Sequence, residues 1–89
     1  MQRAPDEELK RLCREIVASP RSLEEWRETE SDDEFQSANY VGGYDADEDA
    51  FFFAYYDDSN TQWWFRLTMA EAGQIADGGG SVIDLHPDD

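Results

Sequence analysis

Apolar residues recur along the first part of the chain at helical spacing. Leu9, Leu12, Cys13, Ile16 and Val17 fall at i, i+3, i+4, i+7 and i+8, one stripe of an amphipathic helix. Pro5 at a first-turn position, Asp6, Glu7 and Glu8 behind it, and Arg11 and Arg14 further on match the helix macrodipole. Together these features predict a helix over about 5–18, stopped by Ser19-Pro20. Ser22 and Glu25 then form a capping box that opens a short helix. Leu23 and Trp26 stand one turn apart on its inner side, and it ends near 28–31.

The period then changes from helix to strand. Residues 35–43 (FQSANYVGG), 50–56 (AFFFAYY) and 61–67 (TQWWFRL) read as three strands of an antiparallel meander. Acidic residues 45–49 connect the first two, and Asp57-Asp58-Ser59-Asn60 makes the second turn. If that turn pairs Tyr56 with Thr61, one face carries Val41, Phe52, Ala54, Tyr56, Trp63, Phe65 and Leu67. The other face then carries Tyr40, Phe51, Phe53, Tyr55, Gln62, Trp64 and Arg66. Beyond the meander, Thr68 and Glu71 form a second capping box, with Leu67 and Ala72 as a hydrophobic staple. A helix over about 69–77 follows, stopped by the glycines at 78–80; residues 81–85 read as a short edge strand and 86–89 as a tail.

The fold class that emerges is α+β, with helices packed on one face of the sheet. At 89 residues the chain has room for one domain. Its parts are a helical segment over 1–31, an antiparallel sheet over 34–67, a helix and edge strand over 68–85, and the 86–89 tail.

Charge changes this picture most. The chain carries 22 acidic and 7 basic side chains, a formal net charge of −15. Residues 1–27 are balanced, so residues 28–89, whose only base is Arg66, carry all of it. The acids cluster at 28–34, at 45–49 and at Asp57-Asp58. Such a charge opposes direct binding to nucleic acid or to an anionic membrane surface. Aromatic residues make up 13% of the chain, which argues for a folded domain despite 33% charged residues. A salt-adapted protein would spread acids over every surface, the first helix included; their segregation favours one anionic face with a partner.

Candidate chemistry is sparse. The single Cys13 excludes an intramolecular disulfide and a multi-cysteine zinc site, and its place on the apolar stripe reads as a buried thiol. A reduced thiol and the absence of a signal-like or spanning apolar run point to a cytoplasmic protein. Asp45, Asp47 and Asp49 match the first, third and fifth positions of a calcium loop, but Ala50 stands at the turn glycine and Tyr56 at the bidentate glutamate. No metal site is therefore assigned beyond weak divalent binding by clustered carboxylates. His86 lies in the tail, far along the chain from Cys13, so no nucleophile–base pair is suggested. The glycines at 78–80 follow a helix instead of opening one, which excludes a phosphate cradle. We expect no enzyme and no cofactor.

What remains is a surface. In an extended segment Asp45, Asp47 and Asp49 would project to one side about 6.6–6.8 Å apart, near the interval between phosphates on a nucleic-acid strand. Asp32, Asp33 and Glu34 lead into the sheet, and Asp57 and Asp58 lie at its other end. With Glu48, and with Tyr55 and Trp64 as ring anchors on a partly exposed face, these residues form the candidate partner-binding set. On that face Arg66 stacking over Phe51 is expected, and homodimerisation through it is a further reading.

In size, acidity and helix–meander–helix layout the chain resembles small phage-encoded inhibitors, notably anti-CRISPR proteins and nucleic-acid mimics such as the uracil-DNA glycosylase inhibitor. The resemblance rests on the character of the whole chain, and no residue is carried over from it. It implies an inhibitor, acting in a host bacterial cytoplasm, that occupies the nucleic-acid-binding surface of a nuclease or effector complex. Two alternatives stand beside it: an immunity or antitoxin protein that neutralises a basic toxin nuclease, and a salt-adapted structural domain.

Overall fold

The computed structural model describes residues 1–29, 31–79 and 82–88. Glu30, Gly80, Ser81 and Asp89 lie outside the described residues, and with them parts of the expected acidic run, glycine stop, edge strand and tail. Along the chain come β1 (Gln2–Arg3), α1 (Glu7–Ala18), α2 (Leu23–Glu28), β2 (Phe35–Gln36) and β3 (Tyr40–Asp45). They are followed by β4 (Ala50–Tyr56), β5 (Gln62–Leu67), α3 (Met69–Ala76), β6 (Ile83–Asp84) and β7 (His86–Pro87). The fold is α+β: a five-stranded antiparallel sheet in the order β2-β3-β4-β5-β7, a two-stranded β1-β6 ribbon, and three helices.

The helices form where local chemistry specifies them. Asp6 caps α1 by accepting the Leu9 amide at 2.9 Å, so the helix starts just after Pro5 and Asp6 instead of including them. Both capping boxes are present, at Ser22–Glu25 and at Thr68–Glu71. Leu9, Leu12, Cys13 and Ile16 are buried, but Val17 is 47% exposed, and Leu23, expected on the inner side of α2, is 48% exposed. Helix α3 ends at Asp77, where Gly78 adopts a left-handed φ of 84° and donates its amide to the Ile75 carbonyl.

The sheet departs from the expected meander in four ways. The run 35–43 is two strands, because the chain turns back at 37–39, where the Ser37 amide meets the Tyr40 carbonyl at 2.9 Å. The 86–89 tail instead contributes β7, which pairs His86 with Trp64 and Pro87 with Trp63 along the β5 edge. Strand β6 pairs with β1, away from the main sheet.

The fourth difference reverses the faces of β5. The connection between β4 and β5 is one residue longer than expected: Asp57 pairs with Thr61 through the Asp57 amide, and Tyr56 opposes Gln62. Asn60 takes a left-handed φ of 63°, the extra residue that a type I turn needs to close such a loop. A one-residue slip moves every side chain of a strand to the other face. Trp63, Phe65 and Leu67 therefore join Tyr40, Phe51, Phe53 and Tyr55 against the helices, and Gln62, Trp64 and Arg66 join Val41, Phe52, Ala54 and Tyr56.

The core lies between the helices and the first of these faces. Helix α1 packs on α3, α2 lies over β3 and α3 over β5. Trp26 meets Phe51 edge-on at 5.2 Å, and Phe53 stacks on Phe65 at 5.4 Å. At the end of this core the Asp6 carboxylate binds Arg3 and the Tyr40 hydroxyl, while the Arg3 guanidinium covers the Tyr55 ring at 4.6 Å. The opposite face of the sheet is left open by the helices. No described helix is long and apolar enough to cross a membrane.

Candidate functional site

The open face is built from alternate residues of β3, β4 and β5. Phe52 and Trp64 stack across β4 and β5 with centroids 5.2 Å apart and planes 9° apart. The His86 ring stacks on Trp64 at 4.3 Å. The three side chains thus form a row across three strands, and Phe52, at its β3 end, is 41% exposed. Arg66 approaches Trp64 from the strand's far end at 5.9 Å; the expected stacking over Phe51 does not occur, because Phe51 is buried on the other face.

Beside this row runs a groove of about 530 Å³ with Val41, Phe52, Ala54, Tyr56 and Trp64 along its floor. Asp32 and Asp45 line it at one end and Asp88 at the other. Asp88 is placed there by its amide, which donates to the Gln62 carbonyl at 3.3 Å. Asp32 arrives by a different route. The segment after α2 crosses the sheet at Gly43, where a Cβ would lie 1.8 Å from the Ser31 carbonyl oxygen. Glycine at this position lets the acidic segment lie on the sheet face. Asp32, Asp45 and Asp47 line a second, adjoining cavity of about 300 Å³.

The other acids singled out from the sequence have internal partners. Arg21 grips Glu34 with both terminal guanidinium nitrogens, one at 2.8 Å, and lies 4.3 Å over the Trp26 ring. Arg27 binds Asp49 through two contacts of 3.2 Å, and the Tyr44 hydroxyl donates to the same carboxylate. The Arg27 pair, followed by the Tyr44 hydrogen bond, holds the Asp49 carboxyl below its usual range. Arg66 binds Glu48 at 2.6 Å. Asp57 organises its own turn: one oxygen accepts the Ser59 and Thr61 amides, each at 2.9 Å, and the other accepts the Trp63 indole at 3.1 Å. Hydrogen bonding, foremost from Thr61, lowers its pKa. Asp33 is exposed and accepts the Ser31 hydroxyl at 3.2 Å, and Asp58 is exposed at the turn.

Two expectations about the site need correction. Asp45, Asp47 and Asp49 do not form an extended row, because β3 ends at Asp45 and residues 46–49 turn. The Asp47 amide folds back onto the Asp45 carboxylate at 3.0 Å, and Asp49 has a left-handed φ of 54°. Tyr55 is 5% exposed and belongs to the core, so of the two expected ring anchors Trp64 alone stands on the open face. The structure brings Asp32, Asp45 and Trp64 together, with Asp47 adjoining. It adds Phe52, Tyr56, His86 and Asp88, which the sequence reading placed elsewhere. Phe52 and Tyr56 were legible as alternate residues of one strand; the missing information was which face the helices cover. Among the described residues no group of three or more His, Cys, Asp and Glu side chains is placed to hold a metal ion. No protein-family model, curated protein or solved structure matches the chain.

Proposed function

We propose that this protein is a non-catalytic acidic inhibitor that binds a basic nucleic-acid-binding protein and blocks the surface on which nucleic acid would lie. The observation that carries the reading is the open aromatic sheet face with carboxylates at both ends of its groove, on a chain of net charge −15. Aromatic side chains supply contact area at little entropic cost, and the carboxylates supply charge complementarity to lysine and arginine. Electrostatic steering makes such association fast and salt-sensitive. The mimicry lies in a rim of carboxylates around a ring-lined floor, since the 45–49 segment turns instead of extending. Anti-CRISPR-like blocking of a nuclease complex is the form of inhibition that this size and charge suit.

The test is affinity capture from a bacterial lysate at low and high salt, followed by nucleic-acid displacement with each captured protein. The expected result is salt-sensitive capture of basic nucleic-acid binders that release their nucleic acid when this protein is added. Captured proteins that keep their nucleic acid bound would overturn the reading.

A further inference from the structure

On a chain of net charge −15, one hollow of the surface has no acid in its walls. Four other cavities of the described surface have carboxylates in theirs, among them Asp45, Glu71 and Asp84. The acid-free hollow, of about 530 Å³, lies on the helical side of the molecule, where the end of α1, the start of α2 and Met69 of α3 meet. Ile16 and Trp26 are its buried residues, and Val17 of α1 and Leu23 of α2 stand half-exposed beside them. Arg21 lies over the Trp26 ring with its charge matched by Glu34. Two charges next to the hollow have no ion pair among the described residues: Arg14, one turn before Val17, and Glu24, which follows Leu23.

We propose that this hollow is a dimer interface and that its occupant is a second copy of the chain. Half-exposed apolar side chains gathered in one hollow gain free energy by leaving water together. Charge selects what covers them. Two copies repel through their acidic turns and sheet faces, whereas residues 1–27, which supply most of the hollow, are charge-balanced. This is where like chains meet at least electrostatic cost. The rim is also self-complementary. In a two-fold contact each pairing occurs twice, so Val17 of one protomer packs against Leu23 of its partner, and Arg14 meets Glu24 in both directions. A basic partner finds no such match, because Arg14 and Arg21 border the hollow and no carboxylate lines it. The helices cover the side of the sheet opposite the aromatic groove, so the dimer leaves both grooves open. The inference is independent of what those grooves bind.

Sedimentation equilibrium of the full chain tests this, over about 5–500 μM protein at about 0.05 M and about 0.5 M salt. The expected result is a monomer–dimer equilibrium with a Kd on the order of 10–100 μM, as suits a contact at the small end of specific interfaces. It should tighten at high salt, where screening relieves the repulsion between the two chains. Leu23→Glu, at an exposed position, puts a carboxylate into the hollow of each copy and should weaken the dimer by about tenfold or more while cooperative unfolding is retained. Arg14→Glu should weaken it by about fivefold, because each lost pair counts twice. Glu24→Arg should weaken it similarly although it reduces the net negative charge, and the double exchange should restore it. A monomer at every concentration in high salt would overturn the proposal, as would a dimer that high salt weakens or that Leu23→Glu leaves intact. A double exchange that fails to recover would overturn the two-fold pairing of Arg14 with Glu24.

Discussion

Replacing Gly43 with alanine tests the link between the fold and the groove. The added Cβ would lie 1.8 Å from the Ser31 carbonyl oxygen and 2.9 Å from its carbon, where ordinary contact begins at 3.4 Å. The Ser31 backbone must therefore retreat by about 1.6 Å. It has little slack. On one side Thr29 donates its amide to the Glu25 and Trp26 carbonyls at 3.1 Å each. On the other, Glu34 is gripped by Arg21, and Phe35 is buried and opposes Gly42 in the sheet. Overpacking against constrained backbone typically costs about 1–3 kcal/mol, and the tethers place this case near the upper half of that range. For a domain of this size, about 2 kcal/mol lowers the melting temperature by roughly 8–16 °C.

The assay is thermal and urea unfolding of Gly43→Ala beside Gly73→Ala. Gly73 lies inside α3, where a Cβ meets nothing within 4 Å. That substitution should stabilise the protein by about 0.5–1 kcal/mol through helix propensity and the unfolded-state entropy of glycine. The two alanines should thus move the unfolding midpoint in opposite directions. Gly43→Ala within about 0.5 kcal/mol of the parent, a change usual for neutral surface sites, would refute the crossing of residues 31–32 over the sheet.

Three further outcomes follow from the core and its capping groups. Although partial burial acts to raise it, hydrogen bonds from the Leu9 amide, Arg3 and Tyr40 hold the Asp6 carboxyl below its usual range. Its contribution is complete above the unfolded value of about 3.9 and is lost as pH falls through the folded value. Asp6→Ala should cost about 2–3 kcal/mol near neutrality, from the lost cap and an unpartnered Tyr40 hydroxyl. Asp6→Asn should retain the cap while flattening the acid limb of the stability–pH profile, read from urea midpoints. Trp26, 2% exposed and packed against Phe35, Tyr44 and Phe51, should cost about 3–5 kcal/mol as Trp26→Ala, measured by loss of the cooperative unfolding transition. Burial pushes the Cys13 thiol up to about 11, so at pH 8 it should react with a thiol reagent only as fast as the protein opens; native labelling as fast as in urea would contradict its burial.

The elements written in local chemistry were legible in the sequence. The stripe from Leu9 to Ile16, the boxes at Ser22–Glu25 and Thr68–Glu71, and strands 50–56 and 61–67 all have causes within a few residues. The sheet faces were not. Both aromatic strands are apolar on both sides, so alternation could not say which side faces the helices, and the register rested on one residue of loop length. Asn60 decided it by entering the left-handed region, and with it Trp64 parted from Tyr55, which lies in the core while Trp64 stands on the open face. His86 and Asp88 escaped notice because two-residue strands such as β7 have no periodicity to read. Asp32 reached the groove through a crossing permitted by Gly43, a steric permission that no pattern of apolar residues encodes.

The same geometry divides the acids into two populations that respond to salt in opposite ways. Glu34, Glu48 and Asp49 are neutralised by Arg21, Arg66 and Arg27, two of these bases coming from the charge-balanced part of the chain. Asp32, Asp45, Asp47, Asp58 and Asp88 form no ion pair among the described residues, and the first three share one cavity wall. Like charges so close repel, and their repulsion opposes folding. Salt, with a screening length of about 10 Å at 0.1 M, relieves that repulsion in the folded protein and equally weakens attraction to a cationic partner. The unfolding midpoint should therefore rise with salt over the range in which partner affinity falls. On the proposed basic-partner reading, substituting Asp45 with asparagine should reduce both slopes together.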